Sequence, residues 1–224
     1  QNPHGELGYG YFGYTAFPTP ILNINGVRDV HTINAHSLAI DSNGSLWSWG
    51  YNSNGQLGNG HRIPTASPKQ VSGLGYIVAT SAGDSHSLAV DADGNLWAWG
   101  SNLWGQLGTH TSAYTLTPTN VPTLYDIVEA TAGYQHSLAL RVDGAVFAWG
   151  SNHFGELGLG TGVSSTGDPA LVSGVDGIVQ ISATGSSSLA LRYDGTVWAW
   201  GDNSKGQAGL PSQNNRVQYA PQKV

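Results

Sequence analysis

The sequence predicts an all-β fold, a β-propeller made of four-stranded antiparallel blades. One phrase of about 25 residues starts at His36, His86, His136 and Ser187, a period of about 50 residues, and fixed periods of this size are typical of propellers and solenoids. Glycine contributes 32 of the 224 residues and charged residues only 10%, which favours many short strands joined by tight turns. Each phrase also places an Asn-Gly or Asp-Gly pair between two apolar runs, the sequence signal of a β-hairpin.

Each repeat offers four candidate strands in the same order. The first is a run of the type Ile-Val-x-Ala, the second is His-Ser-Leu-Ala-Leu, and the third is Leu-Trp-Ala-Trp-Gly. The turns between the second and third strands are expected at Asn43-Gly44, Asp93-Gly94, Asp143-Gly144 and Asp194-Gly195. The fourth candidate contains proline, which fits an outer edge strand because proline cannot donate to a hydrogen-bond ladder. Four such strands form one blade, and blades repeated around an axis form a propeller.

Side-chain alternation predicts how the blades pack. Trp97 and Trp99 point to one face of their strand, and Leu96 and Ala98 point to the other. Burial of one tryptophan removes about 150–250 Å² from water, worth roughly 4–6 kcal/mol. We therefore expect each blade to have a bulky face and a face of small residues, so that neighbouring blades nest.

The repeats define one domain over residues 1–224, with blades at 27–76, 77–126, 127–177 and 178–224. Residues 1–26 repeat the second half of a further blade and are predicted to be a partial blade. Residues 202–224 already supply an outer strand to the last blade, so the extra half favours a segment of a larger ring. An oligomeric ring of several chains, and a closed four-blade ring with a spare flap, are the alternatives.

The composition argues against several classes of protein. The net charge is −6, and the lysines are Lys69, Lys205 and Lys223, whereas nucleic-acid binding requires clustered basic residues. Cysteine is absent, which excludes disulfides and thiolate metal sites. No apolar run approaches the length of a membrane span, so no membrane insertion is expected. A weakly charged chain rich in Gly, Ser, Asn and Thr favours a secreted or cell-surface protein.

The repeated phrase resembles the regulator of chromosome condensation repeat. The motifs that carry the resemblance are His-Ser-Leu-Ala-Leu, then Asp-Gly, then Leu/Val-Trp/Phe-Ala-Trp-Gly, then Asn-x-x-Gly-Gln/Glu-Leu-Gly. The resemblance implies four-stranded blades, usually seven to a ring. Families with this repeat include a guanine-nucleotide exchange factor, an ultraviolet-B receptor of plants and an inhibitor of β-lactamases. The exchange factor depends on an inserted wedge, for which repeat spacings of 50, 50 and 51 leave no room.

Three repeated features have a structural interpretation that we prefer to a functional one. His36, His86 and His136 recur at one position in the blades, but Ser187 occupies the fourth copy, so a structural hydrogen bond to the turn before the second strand is favoured over metal binding. The aspartates of the hairpin turns lack the later acidic residue of a calcium loop. The tryptophans lie inside strands, which favours core packing over light sensing. No metal and no cofactor is predicted.

Catalysis finds no support in the motifs. The chain has no Gly-x-Ser-x-Gly, His-Glu-x-x-His or phosphate-binding loop. Asp126, Glu129 and Asp168 are scattered acidic residues that the sequence does not assign to an acid–base pair. The sequence therefore predicts that the protein is not an enzyme.

Variation between the repeats indicates a candidate binding surface. The turn before the second strand and the loop after the third strand emerge at the same end of an up-and-down blade. Aromatic residues at these places can act as binding anchors, or they can simply cover the ends of their own blades. The predicted partner-binding residues are Asn34, Asp84, Leu103, Trp104, Tyr134, His153 and Phe154. A second aromatic stretch, residues 9–17, is expected to cap the open edge or to bind.

The function predicted from these observations is a non-enzymatic protein-binding propeller module of an exported or surface protein. One alternative is a lectin-like module in which Trp104, Tyr134 and Phe154 stack on sugar rings. The other is a structural protein that forms filaments or larger rings through blade-to-blade packing.

Overall fold

The fold is all-β in a computed structural model that describes residues 2–109, 113–210 and 216–224. Sixteen strands in these ranges form four antiparallel sheets of four strands each. The first sheet contains β1 (Val27–Ile33), β2 (His36–Asp41), β3 (Leu46–Gly50) and β4 (Thr65–Gln70). The second contains β5 (Ile77–Ala82), β6 (His86–Asp91), β7 (Leu96–Ser101) and β8 (Tyr114–Asn120). The third contains β9 (Ile127–Ala132), β10 (His136–Arg141), β11 (Val146–Ser151) and β12 (Ser165–Leu171). The fourth contains β13 (Ile178–Thr184), β14 (Ser187–Arg192), β15 (Val197–Asp202) and β16 (Val217–Lys223).

The sheets are successive blades, and each sheet pairs its strands in chain order. The central hairpin keeps one register throughout, because the first residue of β2, β6, β10 and β14 always faces the glycine of the following strand. Three residues separate the closing pair Asp41 and Ser45 of the first hairpin, and Gly44 adopts a φ of +74°. The Asn-Gly pair therefore builds a three-residue loop with a left-handed glycine and not a two-residue turn.

Neighbouring blades bury a continuous core between them. At the first boundary, Leu38, Ile40 and Leu46 of one blade pack against Ala89 and Trp99 of the next. The same arrangement recurs at the second and third boundaries. The prediction of one bulky and one small face needs a correction, since tryptophan shares its face with Ser and Ala while the opposing face carries Leu and Ile. The indole fills the space that its small neighbours leave.

The two tryptophans of each third strand have different environments. Trp49, Trp99, Trp149 and Trp200 are buried, whereas Trp97 is only half-buried. The indole Nε1 of Trp97 donates to Asp91 Oδ2 over 2.9 Å, and Asp91 Oδ1 accepts the backbone N–H groups of Asp93 and Asn95. Burial raises the pKa of Asp91, but these bonds together outweigh that effect and hold the pKa below its ordinary value. The turn aspartates thus have the hairpin role that the sequence predicts.

A loop from each blade is locked into the next blade. The backbone carbonyl of Gln56 accepts hydrogen bonds from Ser87 Oγ and Trp99 Nε1, both at 2.8 Å. Gln106 makes the same pair of bonds with Ser137 and Trp149. Glu156 makes them with Ser188 and Trp200. We call the segments 52–58, 102–108 and 152–158 the locking loops.

The N-terminal segment supplies a locking loop to the first blade. The carbonyl of Glu6 accepts bonds from Ser37 Oγ at 3.1 Å and Trp49 Nε1 at 2.7 Å. Residues 2–8 thus occupy the place that the locking loop of a preceding blade would fill. Residues 9–26, all of which the structure describes, contain no strand. The aromatic residues Tyr11, Phe12, Tyr14 and Phe17 of this segment are exposed.

The inner strands β1, β5, β9 and β13 line a cavity of about 510 Å³. These strands place their third residue at equivalent positions, which are Asp29, Ala79, Glu129 and Gln180. In the part of the chain that the structure describes, no helix is long and apolar enough to cross a membrane.

Candidate functional site

The loop face is the end of the blades at which the turn before the second strand and the loop after the third strand emerge. Antiparallel order places both connections at the same end of every blade. The opposite end, which carries the Asn-Gly and Asp-Gly turns, is the turn face. All seven predicted partner-binding residues belong to connections of the loop face.

Repeated polar residues fix the shape of the locking loops. Asn152 Oδ1 accepts the N–H of Leu157 at 2.9 Å, and its Nδ2 donates to the carbonyls of Gly160 and Val163. Asn52 makes equivalent bonds in the first blade. Gly155 has a φ of +77°, a conformation that favours glycine. The backbone of each loop is therefore determined by residues other than the variable pair.

The variable residues project from these fixed loops into solvent. Trp104 donates its backbone N–H to Gln106 Oε1 at 2.9 Å, and Phe154 donates its N–H to Glu156 Oε2 at 2.7 Å. Burial raises the pKa of Glu156. The exposed fractions are 70% for Leu103, 37% for Trp104 and 48% for Phe154. These side chains are accessible to a partner and are not required by the backbone geometry of the loop.

The structure brings Trp104 and His153 together across the boundary between the second and third blades. Their ring centroids are 4.8 Å apart with an interplanar angle of 86°, an edge-to-face arrangement. Leu103 and Phe154 are the chain neighbours of these two residues. We call Leu103, Trp104, His153 and Phe154 the outer cluster.

The other three predicted residues lie in the turns that follow the inner strands. Asn34 Nδ2 donates to Asp84 Oδ1 between the first and second blades. Tyr134, with an exposed fraction of 46%, donates its backbone N–H to the carbonyl of Gly185 at 2.8 Å. Asn34 has a φ of +50°, which asparagine tolerates better than most residues. These residues follow the cavity-lining strands β1, β5 and β9. We call them the inner rim.

The repeated histidines are buried between the blades. His36, His86 and His136 place Nε2 at 2.9–3.0 Å from the Oγ of Ser87, Ser137 and Ser188 respectively. The structural hydrogen bond predicted for these residues therefore reaches the next blade and not the turn of its own blade. Burial lowers the pKa of His36 to about 4 and the pKa of His86 and His136 to about 3. Among the described residues, no group of three or more His, Asp or Glu side chains could hold a metal ion.

Glu129 is an acidic residue whose place sequence reasoning missed. Its Oε2 accepts the N–H of Ile181 at 3.1 Å across the boundary between the third and fourth blades. Burial raises the pKa of Glu129. A sequence signal for Glu129 does exist. Glu129 is the third residue of its inner strand, and the same position is occupied by Asp29 in the first blade and Gln180 in the fourth. Asp126 and Asp168 lie in other connections and strands, so the acids that the sequence left without partners do not form one site.

The turn face presents tyrosines beside arginines. The guanidinium of Arg28 lies 5.3 Å from the ring centroid of Tyr76, and that of Arg141 lies 5.6 Å from the centroid of Tyr125. Arg141 also forms an ion pair with Asp143 at 2.8 Å. The aromatic groups of this face thus already contact side chains of this chain.

Comparison with known proteins identifies a family and several relatives. The family model described as RCC1-like domain matches residues 1–224. The structure of human WBSCR16 is 26% identical with a TM-score of 0.91, over all of this chain and 61% of that chain. The structure of Prp20p from Saccharomyces cerevisiae is 25% identical with a TM-score of 0.79, over 88% of this chain and 51% of that chain. The X-linked retinitis pigmentosa GTPase regulator of Mus musculus is 50% identical over 40 residues, 18% of this chain and 4% of that protein. The chain thus spans between half and two thirds of the length of these two solved relatives.

Proposed function

Because this chain belongs to the family of RCC1-like domains, we propose that it is a protein-binding propeller module that recognises its partner through the loop face. In this proposal the outer cluster supplies the central contacts and the inner rim supplies polar contacts. The module acts by binding and has no catalytic step of its own.

One observation carries the proposal: exposed apolar residues stand on loops whose shape other residues determine. In the first blade, the pair equivalent to Leu103 and Trp104 is Ser53 and Asn54, and the loop keeps the same hydrogen bonds. A scaffold that accepts Ser-Asn equally well does not need Leu-Trp for its stability. Tryptophan is among the residues most enriched in binding hot spots, where it is surrounded by a polar rim.

The loop face is a better candidate than the turn face. Tyrosines of the turn face lie beside arginines that are themselves engaged, as Arg141 is with Asp143. A partner that stacks on these rings would share them with an arginine side chain of this chain. The outer cluster, by contrast, contains Leu103 and Phe154 exposed to solvent next to the Trp104–His153 pair.

A similar protein supports binding as the kind of function. Prp20p is described by its binding properties to Gsp1p and histones. That description concerns Prp20p, and it supports a protein as the class of partner for this chain without naming the partner.

The test is affinity capture with the purified chain, followed by measurement of the dissociation constant with each purified partner. Trp104→Ala and Phe154→Ala are expected to weaken binding by at least 10-fold, and the double variant by more, since truncation of a hot spot costs about 2 kcal/mol or more. Asn54→Ala, at the same loop position in the first blade, is the matched control and should bind as the wild type does. Circular dichroism and the thermal midpoint should be unchanged in all variants.

Two outcomes would replace the proposal by another function. Binding of the wild type on a glycan array, lost in Trp104→Ala, would favour the lectin-like alternative. Partner affinities that are unchanged in Trp104→Ala, Phe154→Ala and Tyr134→Ala would show that the loop face is the wrong surface.

A further inference from the structure

A chain of hydrogen bonds crosses each boundary between blades. His86 Nε2 lies 2.9 Å from Ser137 Oγ, and Ser137 Oγ donates to the carbonyl of Gln106 at 2.8 Å. Trp149 Nε1 donates to the same carbonyl. The series from His36 through Ser87 to Gln56, and the series from His136 through Ser188 to Glu156, repeat this arrangement.

The protonation state of the histidine follows from this geometry. A serine hydroxyl has one proton, and Ser137 gives it to the carbonyl of Gln106, which can only accept. Ser137 Oγ must therefore accept a hydrogen bond from His86, which places the imidazole proton on Nε2. The other ring nitrogen, Nδ1, then carries a lone pair and no proton.

Nδ1 of all three histidines is buried without a partner among the described residues. In His86 and His136 this atom faces the α-carbon of a glycine: a Cβ added to Gly83 would lie 2.6 Å from Nδ1 of His86, and one added to Gly133 would lie 2.5 Å from Nδ1 of His136. Protonation at Nδ1 would place a positive charge and an unpaired N–H in a fully buried position, which is costly.

The charged groups on the elements around the histidines do not offset that cost. Asp84, in the turn before β6, is bonded to Asn34. Glu129 on β9 accepts the N–H of Ile181, and the carboxylate of Glu156 accepts the N–H of Phe154. Arg141, at the end of β10, pairs with Asp143. The titratable groups that act on His86 are His36 and His136, and their protonation would add repulsion.

We propose that His36, His86 and His136 form an acid-sensitive lock between consecutive blades, in which neutral imidazoles hold the boundaries closed and their protonation releases them. The lock is distinct from the proposed binding surface, because the three side chains are buried. The fourth blade carries Ser187 at this position, and Ser187 Oγ donates to the carbonyl of Asp202. Three of the four blades therefore carry the lock.

Linkage gives the direction and size of the effect. The pKa of each histidine is lower in the folded chain than the ordinary value of about 6.5, so the unfolded chain binds more protons below pH 6.5. The contribution of the neutral imidazoles to the free energy of unfolding is complete above that pH and is lost as the pH falls to the folded pKa values of about 4 for His36 and about 3 for His86 and His136. Between pH 7 and pH 5 the folding equilibrium constant should fall about 25-fold for each histidine.

The experiment measures urea unfolding at pH 7.5, 6 and 5 for the wild type and for a variant with His36→Gln, His86→Gln and His136→Gln together. Glutamine does not titrate, and its amide can donate to the serine. The variant should lose most of the pH dependence, whereas histidines with a purely structural role would lower stability equally at every pH. His61→Gln, which changes an exposed histidine, should keep the slope of the wild type. Equal slopes in the triple variant and the wild type would overturn the proposal.

A second measurement covers the case in which the triple variant does not fold. NMR of the wild type with isotope-labelled histidine should show three imidazoles that stay neutral at pH 5, with the proton on Nε2. Single His→Gln variants assign the signals. Imidazoles that titrate near pH 6.5 in the folded chain, or that carry the proton on Nδ1, would contradict the lock.

Discussion

The indole Nε1 of Trp99 donates a hydrogen bond of 2.8 Å to the backbone carbonyl of Gln56, a residue that precedes it by 43 positions in the chain. The bond joins the third strand of the second blade to the locking loop of the first blade. The same bond at the other boundaries shows that the repeat sequence encodes an interaction between copies as well as the fold of one copy.

Replacement of Trp99 by phenylalanine should destabilise the protein more than the same change at Trp97. Trp99→Phe removes a buried donor and leaves a gap in the core, with an expected cost of about 2–4 kcal/mol. Trp97→Phe should cost less, because Trp97 is half-buried and Phe147 occupies the equivalent position in the third blade. Urea unfolding of both variants at pH 7 measures the difference. Equal losses would show that the bond to Gln56 contributes little.

Gly83→Ala should be destabilising because the new methyl group has no space. Its Cβ would lie 2.4 Å from Cε1 of His86, closer than non-bonded carbon atoms approach. The variant His86→Ser carries the residue that the fourth blade has, and it should remove the clash with the imidazole, while the close approach of 2.8 Å to the carbonyl oxygen of Gly133 remains. A double-mutant cycle by thermal or urea unfolding should give a coupling free energy of about 1 kcal/mol or more. If the two changes in the free energy of unfolding simply add, the strain in Gly83→Ala does not come from the contact with His86.

Asn152→Asp should disorder the third locking loop while keeping nearly the same side-chain shape. The carboxylate can still accept the N–H of Leu157, but it cannot donate to the carbonyls of Gly160 and Val163. The expected loss of stability is about 2–4 kcal/mol. Ser53→Ala changes an exposed residue of a locking loop and serves as the control, with a change below about 0.5 kcal/mol. If the proposed function is correct, Asn152→Asp also weakens partner binding, since Phe154 loses its fixed position.

Glu129→Gln should raise stability at neutral pH and leave it unchanged at low pH. The pKa of Glu129 is raised in the folded chain, so the folded state holds this proton more tightly and the ionised form is penalised as the pH rises. Glutamine, present at the equivalent position as Gln180, keeps an oxygen that can accept the N–H of Ile181. The thermal midpoints of the wild type and the variant at pH 7, 6 and 5 test this, with a difference that should narrow as the pH falls. A lower thermal midpoint for Glu129→Gln than for the wild type at pH 7 would mean that the surroundings stabilise the ionised carboxylate of Glu129.

The fold was predictable because its signals are local and repeated four times. The spacing of the motifs and the Asn-Gly and Asp-Gly pairs located the strands, and the predictions of the four-stranded blades and of the repeat family are confirmed. Contacts between copies were not predictable in the same way. Ser87 and Trp99 lie 31 and 43 residues beyond Gln56, and alternation alone cannot show which of two tryptophans meets a neighbouring blade.

The candidate site was predictable only in outline. Blade topology places the variable residues at one end, but it does not predict that Trp104 contacts His153 or that Asn34 binds Asp84. Those pairs depend on side-chain directions at blade boundaries, where residues about 50 positions apart meet. The assignment of these residues to partner binding remains a prediction for the affinity measurements.

The placement of each locking loop has a consequence for protein engineering. The loop that completes a blade is encoded in the repeat before it, so cutting the gene at the blade limits separates each sheet from its own stabilising segment. A transplantable module should instead start at a locking loop, for example at Asn52, and end before the next one, at Ser101. Arrays assembled with that staggered junction should keep the bond from the Trp99 indole to a locking loop in every copy, and arrays joined at the sheet limits should lack this bond in their first copy.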